Sequence, residues 1–312
     1  MIEGILLKGY GGFYYVYAEG RVWECSLRGR FRIRDQEFFP GDRVEILPAK
    51  SDKAVIEKVK ERRNSLVRPT IANVDQAFLV FALTSPKPDL NLLDRLLIQV
   101  TDAGVSPVIV FTKLDLWKEA ESLEGEEVRS GKEKSPGTED KGIQENVMGI
   151  YENIGYKVLA VSNTTKRGIP GVVAELADKI SVLAGPSGVG KSSLLNALSP
   201  ELALKTGDVS RKLARGRHTT RHVELMVAGG GLVADTPGFS VLNLPAMKRE
   251  ELPHFFPEFE AFLGHCRFKS CLHDQEPDCA VKEALAQGKI APSRYEHYQT
   301  FLHEVIAAER RY

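Results

Sequence analysis

Residues Gly185–Ser193 read GPSGVGKSS, a glycine-rich stretch that contains one lysine. An apolar run typical of a β-strand, Ile180–Ala184, precedes it, and a helical pattern, Ser193–Leu198, follows it. The spacing G-x-x-x-x-G-K-S between a strand and a helix is the pattern of a phosphate-binding loop. Its glycines let the backbone bend so that N–H groups point at a polyphosphate, and the helix start adds a positive dipole end. We therefore predict that Gly185–Ser193, here called the phosphate loop, binds a nucleotide.

Two side chains of the phosphate loop have distinct predicted roles. Lys191 is placed to reach the β- and γ-phosphates, and the Ser192 hydroxyl to bind Mg²⁺. The alternative is a glycine-rich turn that happens to hold a lysine, and the strand and helix on its flanks argue against it. The predicted site includes every residue of the loop: Gly185, Pro186, Ser187, Gly188, Val189, Gly190, Lys191, Ser192 and Ser193.

The base is predicted from Thr112-Lys113-Leu114-Asp115, which follows the apolar strand pattern Val105–Phe111. Ligands of open α/β sheets lie at such strand ends. The Asp115 carboxylate can accept two N–H bonds from guanine, whereas adenine has no matching pair of donors, and the Lys113 stem can cover the base plane. The tetrapeptide resembles the guanine-specificity box of GTPases, whose usual first residue is Asn. Ser162-Asn163, after the next strand pattern, resembles the short box that backs the guanine oxygen.

Asp235-Thr236-Pro237-Gly238 completes the predicted site. Asp235 is expected to hold Mg²⁺ through water, and the Gly238 N–H to contact the γ-phosphate. The alternative is a proline turn after a strand.

The order of these motifs is unusual. The guanine box and its partner at 162–163 precede the phosphate loop, which precedes Asp235, whereas ordinary GTPases begin with the phosphate loop. The same sheet can form if the original ends are joined and the chain is opened after the second switch, a circular permutation of the kind that folds tolerate when their termini are close.

Three of the four cysteines crowd into one stretch, C-x4-C-x-H-x5-C. Thiolate and imidazole ligands suit tetrahedral Zn²⁺, and four protein ligands make a closed structural site. We predict one structural zinc ion, with His265 as a rival ligand and reduced cysteines without metal as the alternative. The predicted ligands are Cys266, Cys271, His273 and Cys279. Cys25 lies in a strand pattern and is expected to be a small buried residue.

Residues 1–66 carry short β-rich runs separated by Gly and Pro turns, which suits a small barrel of the oligonucleotide-binding type. Within them, Leu27–Arg34 alternates arginines with mostly apolar residues. In a strand this pattern places all four guanidinium groups on one face, where they can follow a phosphate backbone. The alternative is a solvated polar face. The predicted RNA-binding residues are Arg28, Arg30, Arg32 and Arg34.

Composition sets the remaining bounds. The 312 residues have 43% hydrophobic content and zero net charge, yet 205–222 carry six Lys and Arg against one Asp. This basic loop suggests a polyanionic partner. Residues 118–145 are rich in charge and predict a mobile surface insertion. With no signal-peptide pattern and no apolar run of about 20 residues, we expect a cytoplasmic protein without a membrane partner.

The permuted order, the barrel in front and the zinc cluster behind together resemble the circularly permuted GTPases that act in maturation of the small ribosomal subunit (RsgA/YjeQ-like). The resemblance implies an N-terminal OB-type β-barrel at 1–66, a central α/β P-loop GTPase domain at 67–240 and a C-terminal α-helical zinc-binding domain at 241–312. It implies a monomer that binds GTP or GDP, the small subunit and its rRNA, and hydrolyses GTP when the ribosome stimulates it.

The resemblance also bears on the first switch, where Gly216–Thr220 matches the family. It implies that Thr220, or Thr219, closes on Mg²⁺ in the GTP state. Phe239 follows Gly238, where many GTPases place a Gln that orients the attacking water, so we expect slow intrinsic hydrolysis. We predict that His218 positions this water once rRNA orders the switch. Two rival functions are an ATPase or kinase with RNA-binding modules and a passive RNA-binding protein.

Overall fold

The computed structural model describes residues 1–29, 37–49, 51–67, 70–117, 140–198, 223–235 and 243–310. For Val67, residues 140–146 and Asp235 it describes the backbone alone.

The N-terminal strands close into a five-stranded barrel in the order β1-β2-β3-β5-β4. Only β3 and β5 run parallel within this barrel. Alternate side chains point inward along each strand, so that Leu6, Val16 and Trp23 fill the interior. The barrel prediction is confirmed. The strands are β1 (Ile2–Tyr10), β2 (Phe13–Ala18), β3 (Arg21–Leu27), β4 (Arg43–Pro48) and β5 (Lys53–Val59).

The prediction that Leu27–Arg34 forms a strand is wrong for the first residues of this stretch. β3 ends at Leu27, and Arg28 lies beyond it with its Nη1 donating to Glu57 Oε2 at 2.5 Å. The Arg28 guanidinium therefore pairs with the Glu57 carboxylate on β5, whereas the sequence pattern predicts that it contacts a phosphate backbone. Arg30, Arg32 and Arg34 lie outside the described residues.

A short hairpin, β6 (Ser65–Val67) and β7 (Thr70–Ala72), joins the barrel to the rest of the chain. Leu7 of the barrel packs in the same apolar cluster as Leu66 and Ile71 of the hairpin and the strands of the central sheet. Backbone groups add to this contact, since the Ala72 N–H donates to the Pro40 carbonyl at 2.8 Å.

The central domain is a six-stranded sheet in the order β10-β9-β8-β11-β13-β12, with every neighbouring pair parallel except β12 and β13. Its inner strands are continuous apolar runs because both faces are covered. The strands are β8 (Gln76–Ala82), β9 (Ser106–Thr112), β10 (Lys157–Ala160), β11 (Ile180–Ala184), β12 (Leu225–Ala228) and β13 (Gly231–Asp235).

Four helices cover the two faces of this sheet. Helices α1 (Leu90–Asp102) and α2 (Asp140–Ile154) pack on one face, and α3 (Ile169–Leu176) and α4 (Lys191–Leu198) pack on the other. Strands β9 and β10 come before β11 in the chain but end at the same edge of the sheet, because parallel neighbours share an orientation. The predicted permuted α/β architecture is confirmed.

Helix α2 corrects the predicted insertion. The insertion was expected to continue to residue 145, but α2 begins at Asp140. Residues 118–139 lie outside the described residues.

The C-terminal module consists of two 3-10 turns, Leu252–Phe255 and Pro257–Phe259, and two helices, α5 (Ala280–Ala286) and α6 (Pro292–Glu309). The last helix, α6, buries an apolar stripe against the rest of this module. Its Tyr298 and Phe301 are fully buried, and Tyr298 meets Phe256 edge-on at 5.2 Å between ring centroids. Among the helices that the structure describes, none combines the length and the hydropathy needed to span a membrane.

Candidate nucleotide site and metal centre

The phosphate loop begins directly after β11, at the carboxyl edge of the sheet. Gly185 has a φ of +138°, and a Cβ placed there would lie 2.1 Å from the Val80 carbonyl oxygen of β8. Only glycine permits this close approach of the loop to the neighbouring strand. The loop therefore lies in the crevice at the carboxyl ends of β8 and β11, as the sequence predicts.

Helix α4 begins at Lys191, so the loop leads into a helix N-terminus. The Lys191 Nζ donates to the carbonyls of Gly185 at 2.8 Å and Pro186 at 2.7 Å and so lies over the loop. Ser192 and Ser193 are exposed on the first turn. One turn thus holds a cation, two hydroxyls and the N–H groups of a helix start. This set of donors suits an anion.

Two side chains from neighbouring strand ends contact the phosphate loop. The Thr112 hydroxyl, at the end of β9, lies 2.5 Å from the Val189 carbonyl oxygen. The Asn163 amide Nδ2, after β10, donates to the Gly190 carbonyl at 3.2 Å. Residues 77 and 27 positions apart along the chain therefore meet at one place. The structure brings the predicted base-recognition segments to the predicted phosphate loop.

The remaining residues of the guanine box surround this contact. Lys113 has a left-handed backbone with φ of +60°, and its Nζ donates to the Ser85 carbonyl. The Leu114 N–H donates to the Val161 carbonyl at 3.1 Å, and Asp115 is half-buried. Beside them, the buried Ser162 Oγ accepts from the Thr165 N–H at 3.0 Å and so caps the turn after β10.

Asp235 ends β13 in register with Leu183 of β11, two residues before the phosphate loop begins. The Asp235 backbone therefore lies at the same edge of the sheet as the phosphate loop. Four other predicted residues lie outside the described part of the chain, namely His218, Thr219, Thr220 and Gly238.

Cys266, Cys271, His273 and Cys279 form a cluster whose potential ligand atoms all lie within 4.8 Å of one another. Cys266 Sγ is 3.8 Å from Cys279 Sγ, and His273 Nδ1 is 3.3 Å from Cys279 Sγ. Thiolates at about 2.3 Å from a tetrahedral ion lie about 3.8 Å apart, so the spacing fits a metal. The rival ligand His265 is exposed and does not belong to the cluster.

The protein scaffold around the cluster also suits a metal. Burial lowers the pKa of His273, which favours the neutral imidazole that metals bind, and burial raises the pKa of Cys271 to about 12 when no cation is present. Tyr295 and Tyr298 donate their hydroxyls to the carbonyls of His273 at 2.7 Å and Leu272 at 2.6 Å. Helix α6 thus anchors the turn that carries His273.

A buried charge network between α1 and the C-terminal module was not predictable from the sequence pattern. Arg294 Nη1 lies 2.6 Å from Asp94 Oδ1, and its Nε lies 2.6 Å from Glu258 Oε1. Asp94 also accepts from the Tyr151 hydroxyl at 2.7 Å and contacts His297 Nδ1 at 2.6 Å. Asp94 lies beside the apolar stripe of α1, and its burial depends on Arg294, a partner 200 residues distant.

A scan against protein-family models matches residues 59–245 to the RsgA GTPase family and residues 3–56 to the RsgA N-terminal domain. The chain belongs to the RsgA GTPase family. Membership in this family confirms the enzyme class that the phosphate loop and guanine box predicted, and it confirms the resemblance on which the site prediction drew.

Relatives in the RsgA family match over the full length. The small ribosomal subunit biogenesis GTPase RsgA of Moorella thermoacetica is 52% identical, and that of Geobacillus thermodenitrificans is 46% identical, each with complete coverage of both chains. Among solved structures, YjeQ from Thermotoga maritima has a TM-score of 0.76 at 34% identity, with 98% of each chain covered. The structure of YloQ, a circularly permuted GTPase, has a TM-score of 0.76 at 37% identity and covers 99% of this chain and 96% of that one.

Proposed function

We propose that this protein hydrolyses GTP to GDP and phosphate in late maturation of the small ribosomal subunit, and that the subunit stimulates the reaction. The observation that carries the proposal is the meeting of the guanine box with the phosphate loop through Thr112 and Val189. The names of the full-length relatives supply the biological setting.

In this proposal one nucleotide spans the carboxyl edge of the sheet. Asp115 accepts the guanine N–H groups, and the backbone at 162–163 faces the guanine oxygen. The N–H groups of the phosphate loop and Lys191 bind the phosphates, as in other P-loop nucleotide sites. Mg²⁺ with the nucleotide supplies charge neutralisation between the phosphates, and Ser192, Asp235 and Thr220 are the residues proposed to hold it.

The transition state of phosphoryl transfer gathers charge on the transferred group, so positioned cations and N–H groups account for most of the rate enhancement. Lys191 supplies the cation. We propose His218 as the group that positions the attacking water, because Phe239 cannot do so. Comparison of His218→Ala with the unmodified protein in the presence of small subunits tests this role, and unreduced stimulation would exclude it.

The cysteine cluster is proposed to bind one structural Zn²⁺. The donor set of three thiolates and one imidazole and their mutual spacing support zinc over Mg²⁺ or Ca²⁺, which prefer oxygen ligands. Metal analysis of the purified protein should give one zinc per chain, and Cys279→Ser should remove it while Cys25→Ser, outside the cluster, retains it. Equal zinc content in both variants would contradict the assignment.

We further propose domain boundaries at 66/67 and 240/241, a cytoplasmic location and a monomeric state, with RNA contacts from the barrel and the zinc module. Arg30, Arg32 and Arg34 remain predicted RNA contacts, and Arg28 is the weakest candidate because Glu57 already pairs with it.

The decisive experiment for the proposed function measures GTP hydrolysis while small subunits, large subunits and bulk RNA are titrated separately. We expect stimulation by small subunits well above that by the other two. Equal turnover under all conditions would favour a passive RNA-binding protein, and equal use of ATP would favour an ATPase.

A further inference from the structure

We infer that Lys8 of the barrel and Glu224 of the central domain are positioning residues for the first switch, the segment that carries Thr220. Their ion pair fixes the point at which the chain leaves the switch and enters β12, and so connects the position of the barrel to the nucleotide site. This inference rests on the proposed GTPase function and names a contact through which RNA on the barrel regulates it. The pair is called the barrel anchor below.

The first observation is a β-bulge in β1. The register of β1 against β2 shifts between Leu6 and Lys8. In a regular strand Lys8 would face the same side as Leu6, which fills the barrel interior. A bulge re-aims side chains, and here the Lys8 side chain lies outside the barrel and is 37% exposed. The bulge therefore presents a barrel lysine to the neighbouring domain.

The second observation is the contact that Lys8 makes there. Its Nζ lies 2.6 Å from Glu224 Oε1, and it also lies 5.3 Å from the centroid of the Tyr15 ring, which supports the ammonium group from the barrel side. Beside this ion pair, Leu7 belongs to the same apolar cluster as Leu225, the first residue of β12. Strand β1 therefore meets the start of β12 through both charge and apolar contact.

The third observation is the place of Glu224 relative to the nucleotide site. Leu225 pairs with Ala234 of β13 in antiparallel register, so Glu224 lies one residue beyond this pair, level with Asp235. Asp235 is in register with Leu183 of β11, which precedes the phosphate loop. The barrel anchor therefore lies at the edge of the sheet that carries the proposed Mg²⁺ site.

The spacing along the chain makes this contact a restraint on the first switch. Thr220, which is proposed to hold Mg²⁺, precedes Glu224 by four residues. Four residues span at most about 14 Å when fully extended. A fixed Glu224 therefore limits the positions that Thr220 can reach, and a displacement of the barrel moves that limit. Because Thr220 closes on Mg²⁺ only in the GTP state, the barrel anchor acts on GTP binding and hydrolysis more than on GDP binding.

The test reverses the two charges one at a time and then together. Lys8→Glu and Glu224→Lys each place like charges opposite each other, and the double variant restores the ion pair with its signs exchanged. Both side chains are at least one-third exposed, so all three variants should fold. Lys53→Glu is the matched control, because Lys53 lies 3.6 Å from Glu24 within the barrel and takes no part in the anchor.

Two quantities are measured for each full-length variant. A titration of GTP turnover with small subunits gives the maximal stimulation and the subunit concentration at half-maximal stimulation. Competition binding with Mg²⁺ gives the affinity for a non-hydrolysable GTP analogue relative to GDP and requires no subunit. Each single reversal should lower the maximal stimulation about threefold to fivefold, the range of an exposed ion pair, and the affinity ratio about twofold. The double variant should recover most of both, and Lys53→Glu should change neither.

Three results would overturn the barrel anchor. The first is unchanged stimulation and an unchanged affinity ratio in both single variants, and the second is a double variant no better than the single ones. The third is a change in Lys8→Glu confined to the half-maximal subunit concentration, which would mean that Lys8 binds the subunit directly. Absence of stimulation in the unmodified protein would instead refute the proposed function, and the affinity ratio would then decide for or against the anchor.

Discussion

The N-terminal barrel meets the central domain through apolar side chains, backbone hydrogen bonds and an exposed ion pair between Lys8 and Glu224. The C-terminal module meets it through buried ion pairs as well as apolar contact with Ile98 of α1. The first contact, here called the apolar joint, comprises Leu7, Leu66 and Ile71 with the backbone bond from Ala72 to Pro40. The second, here called the charge joint, comprises Asp94, Arg294 and Glu258 together with the paired Arg95 and Glu304.

The two joints differ in how strongly they fix the orientation of the barrel and of the C-terminal module on the central domain. Apolar contacts are non-directional, so small shifts cost little. Buried ion pairs require fixed geometry, because each charge has left water and depends on its partner. The charge joint therefore restricts the orientation of the C-terminal module on α1 more than apolar contacts alone would. Gln99 of α1 also donates to the carbonyl of Asn243, the first described residue after β13, at 2.7 Å.

The largest effect is expected from Arg294→Met, which leaves Asp94 and Glu258 buried without their cation. Removal of one partner of a buried pair costs about 3–5 kcal/mol. Urea unfolding followed by circular dichroism measures the loss. Arg43→Met is the matched control, because Arg43 is exposed and lies 3.9 Å from Glu3, so its loss is expected to stay below about 1 kcal/mol. Equal losses in the two variants would show that the charge joint does not bear on stability.

A smaller loss is expected when the apolar joint is weakened by Leu7→Ala. Leu7 is 6% exposed, and truncation of a buried leucine costs about 2 kcal/mol at the low end of the usual range. The same unfolding assay, with Leu47→Ala at a 47% exposed position as control, gives the comparison. The loss in Leu7→Ala should not change with salt concentration. A strong dependence on salt would mean that charge, not apolar contact, holds the barrel.

The smallest effect is expected in the pH dependence of stability that comes from Glu309, at the end of α6. Hydrogen bonds from the side chain and backbone of Arg249 lower the pKa of Glu309 below its ordinary 4.5. A lowered folded-state pKa stabilises the protein above 4.5, and this contribution is lost as the pH falls through the folded value. The unmodified protein should therefore be more stable than Glu309→Gln at pH 7, and the difference should close as the pH falls below 4.5. A constant difference would contradict this assignment.

Local patterns were sufficient to predict the sheet and most of the site. The apolar runs at β8 and β11 are long enough to indicate strands covered on both faces, and β11 has the predicted bounds. The phosphate loop and the cysteine cluster carry their chemistry in residue type and spacing, so short stretches suffice to recognise them.

The sequence could not predict features that depend on distant partners. Arg28 follows the alternating pattern of a strand, but its guanidinium forms an ion pair with Glu57 on another strand. In the sequence, Asp94 is one polar residue beside the leucine stripe of α1. Only the folded chain brings Arg294 to it as a partner. The bond between Thr112 and Val189 likewise exists only once the sheet has aligned β9 with β11.

The central claim is that a base-recognition segment and a phosphate loop in rotated order bind one guanosine nucleotide. Asp115→Asn tests it most directly, with affinities for GDP and for xanthosine diphosphate measured by equilibrium competition. An asparagine N–H can donate to the carbonyl that xanthine carries in place of the guanine amino group. We expect that the affinity for GDP falls roughly 100-fold, because hydrogen bonds to a charged group are lost, and that the affinity for xanthosine diphosphate rises. Unchanged affinities for both nucleotides would contradict it.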